Sequence, residues 1–238
     1  RSFLCSSAPV RNKIKKGILK CFPNVKLYEA YGSTEAGLVT ILRPEDQLRK
    51  LGSIGRECLG TDIIKLLDEN GNEVPTGQVG ELYSRGPMMF NEYYKMPDKT
   101  KEAFRDDLFT ARDMARKDEE GYYYIVDRKD NMIITGGEHV YPSEVEEIIS
   151  RHPSVYDVAV IGVPDDMWSE AVKAFVIPKN SEKVSEEEII EWCRGKIAGF
   201  KKPKTVDFIS QDEMPRTPTG KILHRKLREN TFRNKDSL

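Results

Sequence analysis

Between residues 54 and 126 short apolar runs recur around turn signals, and this rhythm constrains the fold more than any other feature. Asp62-Ile63-Ile64-Lys65-Leu66-Leu67 is followed by the Asn70-Gly71 turn and by Val79-Gly80-Glu81-Leu82-Tyr83-Ser84, a hairpin-like pattern. Tyr122-Tyr123-Tyr124-Ile125-Val126 closes the stretch. Such runs read as strands, so this middle section is expected to be a small antiparallel barrel or sheet.

The flanks carry different periods. Residues 10–20 have helical spacing (Val10, Ile14, Ile18, Leu19), Pro23-Asn24 makes a turn, and Val25-Lys26-Leu27-Tyr28 reads as a strand leading into Tyr31-Gly32-Ser33-Thr34-Glu35, an α/β pattern. After the charged tetrad Asp127-Arg128-Lys129-Asp130 the pattern becomes α+β. Ser143 with Glu146 forms a capping box opening a helix that stops before Pro153, and Ser185 with Glu188 opens a second. Val155–Val163 and Ala171–Ile177 suit half-buried strands. Residues 132–238 are thus expected to form two or three helices on a small sheet. No internal repeat or low-complexity segment interrupts the chain.

With 238 residues, 38 % of them hydrophobic, 17 Gly and 13 Pro, the chain is globular, with one large or two modest domains. The formal net charge of −1 hides an asymmetry. Residues 194–238 hold 12 Lys/Arg against 5 Asp/Glu, a balance of +7, and residues 1–193 hold 26 against 34, a balance of −8. The basic end is suited to meet an anion. No run approaches the ~18 apolar residues of a spanning helix and no signal-peptide order opens the chain, so a soluble, cytoplasmic protein is expected. The start, Arg1-Ser2-Phe3-Leu4-Cys5, is an apolar strand-like run without Met, which suggests a chain entered in mid-fold. Cys5, Cys21, Cys58 and Cys193 show no C-x-x-C spacing, and only His139, His152 and His224 are available, so neither disulfides nor a His/Cys metal centre is expected.

Thr34 and Glu35 follow Gly32-Ser33 at a strand-to-loop transition. Small residues there let the backbone approach a phosphate, the hydroxyl can bond its oxygens, and the carboxylate can hold Mg²⁺. Taken alone, the segment reads first as a plain turn.

Other blocks agree with the phosphate reading, in this order: Tyr31-Gly32-Ser33-Thr34-Glu35, Gly80-Glu81-Leu82-Tyr83-Ser84-Arg85-Gly86-Pro87, Thr110-Ala111-Arg112-Asp113, Asp127-Arg128-Lys129-Asp130, Gly136-Gly137-Glu138-His139-Val140-Tyr141-Pro142-Ser143-Glu144-Val145-Glu146, and Pro215-Arg216-Thr217-Pro218-Thr219-Gly220-Lys221. Together they resemble the adenylate-forming superfamily, which comprises acyl- and aryl-CoA ligases, luciferases and the adenylation domains of peptide synthetases. The resemblance implies that residues 1–126 end the large AMP-binding domain, with a small antiparallel β-barrel at about 54–126. It makes 127–131 a hinge and 132–238 a compact, mobile α+β lid.

The resemblance also implies roles. Thr34 contacts the adenylate phosphate, Glu35 binds Mg²⁺, Gly32 and Ser33 approach the nucleotide, Asp113 grips the ribose hydroxyls, and Arg128 reaches ribose or phosphate. Tyr31 packs near the adenine and the acyl site. Ser7-Ala8-Pro9 stands where relatives have Gly-Ala-Pro beside the adenine, with Ala8 the contact and Ser7 a departure from the pattern. Lys221 offsets the charge that builds in the in-line attack of the first half-reaction. Asp130 is the hinge residue, Gly136 and Gly137 line a pantetheine tunnel, and Trp168, Phe200, Lys201 and Lys202 lie where relatives meet the CoA nucleotide.

The leading reading is therefore an acid–CoA ligase using ATP, Mg²⁺ and CoA on a fatty or aryl acid. Two alternatives stay open: an adenylation module loading a carrier protein, and a non-catalytic nucleotide- or CoA-binding fragment. An RNA-binding module fits less well, because the basic tail lacks interleaved aromatics and the remainder is acidic, so no nucleic-acid partner is expected. Nothing in residues 1–30 resembles the relatives' phosphate-holding loop, so these 238 residues alone are expected to release little pyrophosphate.

Overall fold

The computed structural model describes all residues except 8, 9, 11, 180–183, 219 and 236–238, and the side chains of 232–235. The chain divides into two compact units, Arg1–Lys129 and Asp130–Leu238.

The first unit opens with β1 (Ser2–Cys5), α1 (Asn12–Cys21) and β2 (Lys26–Ser33), a strand–helix–strand turn in which β1 and β2 are parallel. The helical spacing of residues 10–20 is realised as α1, and its fully buried Lys15 is paired with Glu29 of β2. The predicted strand at 25–28 runs further than expected, through Gly32-Ser33, and folds back on β3 (Gly37–Leu42), with β4 (Arg56–Glu57) completing a four-stranded sheet. The second sheet contains β5 (Ile63–Leu67) and β6 (Val79–Arg85), paired antiparallel from Ile63↔Arg85 to Leu67↔Glu81 as the hairpin-like pattern implies. After α2 (Pro97–Ala103) come β7 (Phe104–Arg105), β8 (Leu108–Lys117) and β9 (Tyr123–Arg128). Strand β8 lies between β6 on one side and β7 and β9 on the other, giving a five-stranded antiparallel sheet. A bridge from Gly55 to Tyr123 ties the two sheets together.

The second unit carries β10 (Ile133–Thr135), β11 (Glu138–Val140), α3 (Pro142–Ile149), β12 (Val155–Asp165), β13 (Ser169–Pro178), α4 (Glu186–Trp192), β14 (Thr205–Phe208) and α5 (His224–Lys235). The long β12–β13 hairpin is its spine. These strands are buried on both faces rather than half-buried. Val158 and Val160 face the cluster of α3 and α4 (Val145, Ile149, Ile189), while Ala159, Ile161 and Val163 face Met214, which precedes α5, and Leu227 on α5. Two apolar faces are why the runs show no polar alternation. Ile161→Ala is expected to cost about 2–5 kcal/mol, read as a lower urea midpoint; an unchanged midpoint would mean that the α5 face is not a packed core.

One capping prediction holds and one is corrected. Ser185 Oγ accepts from the Glu188 amide at 3.2 Å and caps α4. Helix α3 instead starts at Pro142, with Tyr141 as N-cap and no side-chain cap bond there, because proline pre-sets the helical φ and needs no partner for an absent N–H. Ser143 falls inside the first turn, and the Glu146 carboxylate accepts from the Val160 amide at 2.8 Å instead of closing a box.

Candidate active site

The β2–β3 hairpin presents Thr34 and Glu35 at its tip. Three residues link Ser33 to Gly37, whose φ of +70° is the left-handed conformation such a loop requires. Ser33 Oγ accepts from the Ala36 amide at 3.0 Å, and a Cβ at Gly32 would lie 2.0 Å from the Gly37 carbonyl oxygen, so only glycine fits this turn. Thr34 is exposed and Glu35 half-buried. Tyr93 Oη donates to Glu35 Oε1 at 2.9 Å, and the Phe90 amide donates to the Glu35 carbonyl at 2.7 Å. Partial burial pushes the Glu35 carboxyl up, but hydrogen bonds from Tyr93, its own amide and Ser33, with the charge of Lys99, outweigh that. Its pKa falls below the usual carboxylate range.

Asp113 reaches the same region from β8. Tyr83 pairs with Thr110 and Glu81 with Met114, so three residues of β8 (Ala111, Arg112, Asp113) stand opposite Leu82 alone. This bulge, with Arg112 at φ +63°, re-aims the strand. Tyr31 Oη donates to Asp113 Oδ2 at 2.6 Å, Arg128 Nε stands 3.6 Å from Asp113 Oδ1, and Arg128 Nη2 donates to the Ala111 carbonyl at 2.8 Å. Burial pushes the Tyr31 hydroxyl far up and the Asp113 charge pushes it further, so Tyr31 remains a donor at any physiological pH. A small crevice lined by Tyr31, Gly32, Ser33, Ala36, Ser84 and Ala111 joins the blocks. Ala8 lies outside the described residues.

In the second unit Lys221 is exposed on a tight hairpin: the Thr217 amide donates to the Lys221 carbonyl at 2.8 Å, the Gly220 amide to the Thr217 carbonyl at 2.8 Å, and Gly220 has φ +85°. Thr219 lies outside the described residues. Gly136 and Gly137 both have positive φ, and a Cβ at Gly136 would meet the Trp168 ring at 2.6 Å. Packing against Trp168 is thus a sufficient reason for glycine at 136. Trp168 is 44 % exposed, with Lys204 Nζ 5.5 Å from its ring centre. Phe200 is exposed, Lys202 is half-buried, and Lys201 is paired with Glu144 at 2.6 Å. Asp130 is exposed in the turn Lys129–Asn131.

Sequence reasoning missed Tyr93, which holds Glu35, and Glu81. The latter is a buried carboxylate that accepts from Thr110 Oγ1 at 2.9 Å and Lys129 Nζ at 2.8 Å, fastening β8 just before its bulge to the end of the unit. The signal was an acidic residue inside the run that forms β6, between Gly80 and Leu82. Among the described residues no group of three or more His, Cys, Asp or Glu could hold a metal on its own. No helix is long and apolar enough to cross a membrane among them.

The AMP-binding enzyme family model matches residues 1–94, and the AMP-binding enzyme C-terminal domain model matches residues 144–221. A long-chain-fatty-acid–CoA ligase of Yersinia pestis is 42 % identical over 203 residues, covering 85 % of this chain and 35 % of that protein. Feruloyl-CoA synthase of Amycolatopsis sp. is 38 % identical over 229 residues, covering 96 % of this chain and 46 % of that one. ATP-bound MatB from Rhodopseudomonas palustris superposes with a TM-score of 0.87 at 35 % identity, over 97 % of this chain and 45 % of that structure. The chain therefore spans less than half the length of these proteins.

Proposed function

This chain belongs to the AMP-binding enzyme family, the adenylate-forming enzymes, and from that premise we propose that it serves an AMP-forming acid–CoA ligase. A carboxylate attacks the α-phosphorus of ATP, giving acyl-AMP and pyrophosphate. The CoA thiolate then attacks the acyl carbonyl, giving acyl-CoA and AMP. The observation that carries this reading is the convergence of three separated blocks in the first unit. Tyr31 of β2, Asp113 of the β8 bulge and Arg128 of β9 meet by direct contact beside the hairpin that bears Thr34 and Glu35.

In this reading Asp113, oriented by Tyr31, accepts both ribose hydroxyls, and Arg128 balances its charge and reaches ribose or phosphate. Gly32 and Ser33 let the backbone approach the nucleotide, and Thr34 donates to the α-phosphate. Glu35 is the residue that would hold Mg²⁺: its lowered pKa keeps it anionic, and one carboxylate beside nucleotide phosphates is an ordinary donor set for this ion. Bound there, Mg²⁺ would neutralise phosphate charge. Lys221 acts on the developing charge in adenylation. The Gly136-Gly137 turn serves the pantetheine arm, and Trp168, Phe200 and Lys202 serve the CoA nucleotide.

The domain reading follows the same lines: 1–126 close the large domain, with a barrel-like subdomain at 54–126, 127–131 with Asp130 act as hinge, and 132–238 act as lid. The dependence on ATP and CoA fits a cytoplasmic setting. Since relatives named for both fatty and aryl acids match, we take the substrate to be one of these classes. The test supplies the full-length protein with ATP, Mg²⁺ and a panel of fatty and aryl acids, in separate arms with CoA and with a pantetheinylated carrier protein. Thioester on CoA with one acid class is expected. Thioester on the carrier alone would move the assignment to a loading module, and none in either arm, with ATP binding intact, would overturn the ligase reading.

A further inference from the structure

The hairpin that carries Lys221 is tied to the core of the second unit on both sides. Upstream, Arg216 Nη2 is 2.5 Å from Asp157 Oδ2 on β12, and Arg216 Nη1 donates to the Gly220 carbonyl at 3.0 Å across the turn. Downstream, His224 Nε2 is 2.6 Å from Glu146 Oε1 on α3, and the same oxygen accepts from the Val160 amide of β12. Arg216 and Ile222 bridge, and the Leu223 amide donates to the Pro215 carbonyl at 2.9 Å, so the two ties are the feet of one short ladder with Lys221 near its tip. The side chains of Asp157, Glu146 and His224 are 15 %, 20 % and 18 % exposed. Water screens such pairs far less than surface ones. A merely solvated basic tail would need no such pairing.

We propose that Arg216–Asp157 and His224–Glu146 are two struts that set where the Lys221 ammonium stands, which makes these four positioning residues for adenylation. The proposal rests on the role given to Lys221 above. Lysine has four rotatable carbons, so its own stem does not define the position of the charge; the anchored backbone must. Misplacement by about 1 Å costs on the order of 10²-fold in a reaction that depends on geometry.

In the full-length protein Asp157→Asn, Glu146→Gln and His224→Ala are compared with Lys221→Ala. Three readouts are taken: acid-dependent pyrophosphate release, thioester formation from supplied acyl-adenylate, and the thermal midpoint. Each strut variant is expected to lower kcat for adenylation by about 10–100-fold. The KM for ATP and the thioester step should stay within about twofold, since a positioning defect acts on the first transition state alone. His224→Arg, which keeps a side-chain nitrogen facing Glu146, should restore most of the lost rate. If Lys221→Ala abolishes adenylation while the strut variants do not lower it, the struts are idle and this proposal fails with the ligase reading intact. Equal loss of both half-reactions with a lowered midpoint would make them structural pairs only, and also overturns it. Full adenylation by Lys221→Ala would remove the reading on which the proposal stands.

Discussion

Replacing Lys221 with alanine in the full-length protein is expected to cut acid-dependent pyrophosphate release by about 10²–10³-fold, the usual cost of deleting one preorganised charge-stabilising group. Thioester formation from supplied acyl-adenylate should stay within about twofold. The asymmetry comes from where charge develops. In-line attack adds negative charge at the α-phosphate, which an ammonium offsets. In the second step the leaving AMP already carries that phosphate, and the new bond forms at carbon. Lys221 lies on an exposed hairpin whose backbone is closed by the Thr217–Lys221 and Gly220–Thr217 hydrogen bonds, so its removal should leave the fold intact. Parallel kinetics of the two half-reactions check this; equal losses in both would count against a role confined to adenylation.

Much of the fold could be read from the chain because the apolar runs match their elements. The 62–67 and 79–84 runs pair as β5 and β6, and 155–163 and 171–177 become β12 and β13. What could not be read was long-range and local in equal measure. Strand β3 was missed because Gly37-Leu38-Val39-Thr40-Ile41-Leu42 follows the Thr34-Glu35 segment, whose glycines on either side read as loop rather than as a three-residue hairpin turn. The Ser143 cap failed because Pro142 already satisfies the helix start.

The site itself was legible as motifs but not as contacts. That Tyr31 meets Asp113 across 82 positions of sequence, or that Glu81 joins Thr110 and Lys129, depends on strand register and a bulge that no local pattern specifies. The charge asymmetry is in part neutralised by pairs such as Lys201–Glu144, Lys204–Asp165 and Arg216–Asp157 within the second unit. Lys221, by contrast, is held out on its turn, so a count of basic residues overstates what the tail offers an anion.

Asp113→Ala should weaken AMP and ATP binding by about 30–1,000-fold, because three losses fall together. The ribose loses a charged acceptor, worth about 1.5–3 kcal/mol per hydrogen bond. The Tyr31 hydroxyl, which burial and its partner hold firmly protonated, loses the oxygen it donates to at 2.6 Å, leaving a donor without its partner in a largely water-excluded place. Arg128 loses its carboxylate neighbour and keeps the Ala111 carbonyl, so its guanidinium is held less firmly. Asp113→Asn separates these terms. It keeps one carbonyl oxygen for Tyr31 and roughly the same volume on the β8 bulge, so it should retain stability while still losing most of the charge-assisted ribose contact. Titration calorimetry with AMP, alongside thermal midpoints, distinguishes the cases. Asn weaker than wild type by about tenfold, with Ala weaker still and less stable, is the expected order. If both variants bind AMP as tightly as wild type, Asp113 does not touch the ribose, and the Tyr31–Asp113–Arg128 cluster is a structural tie between β2, β8 and β9.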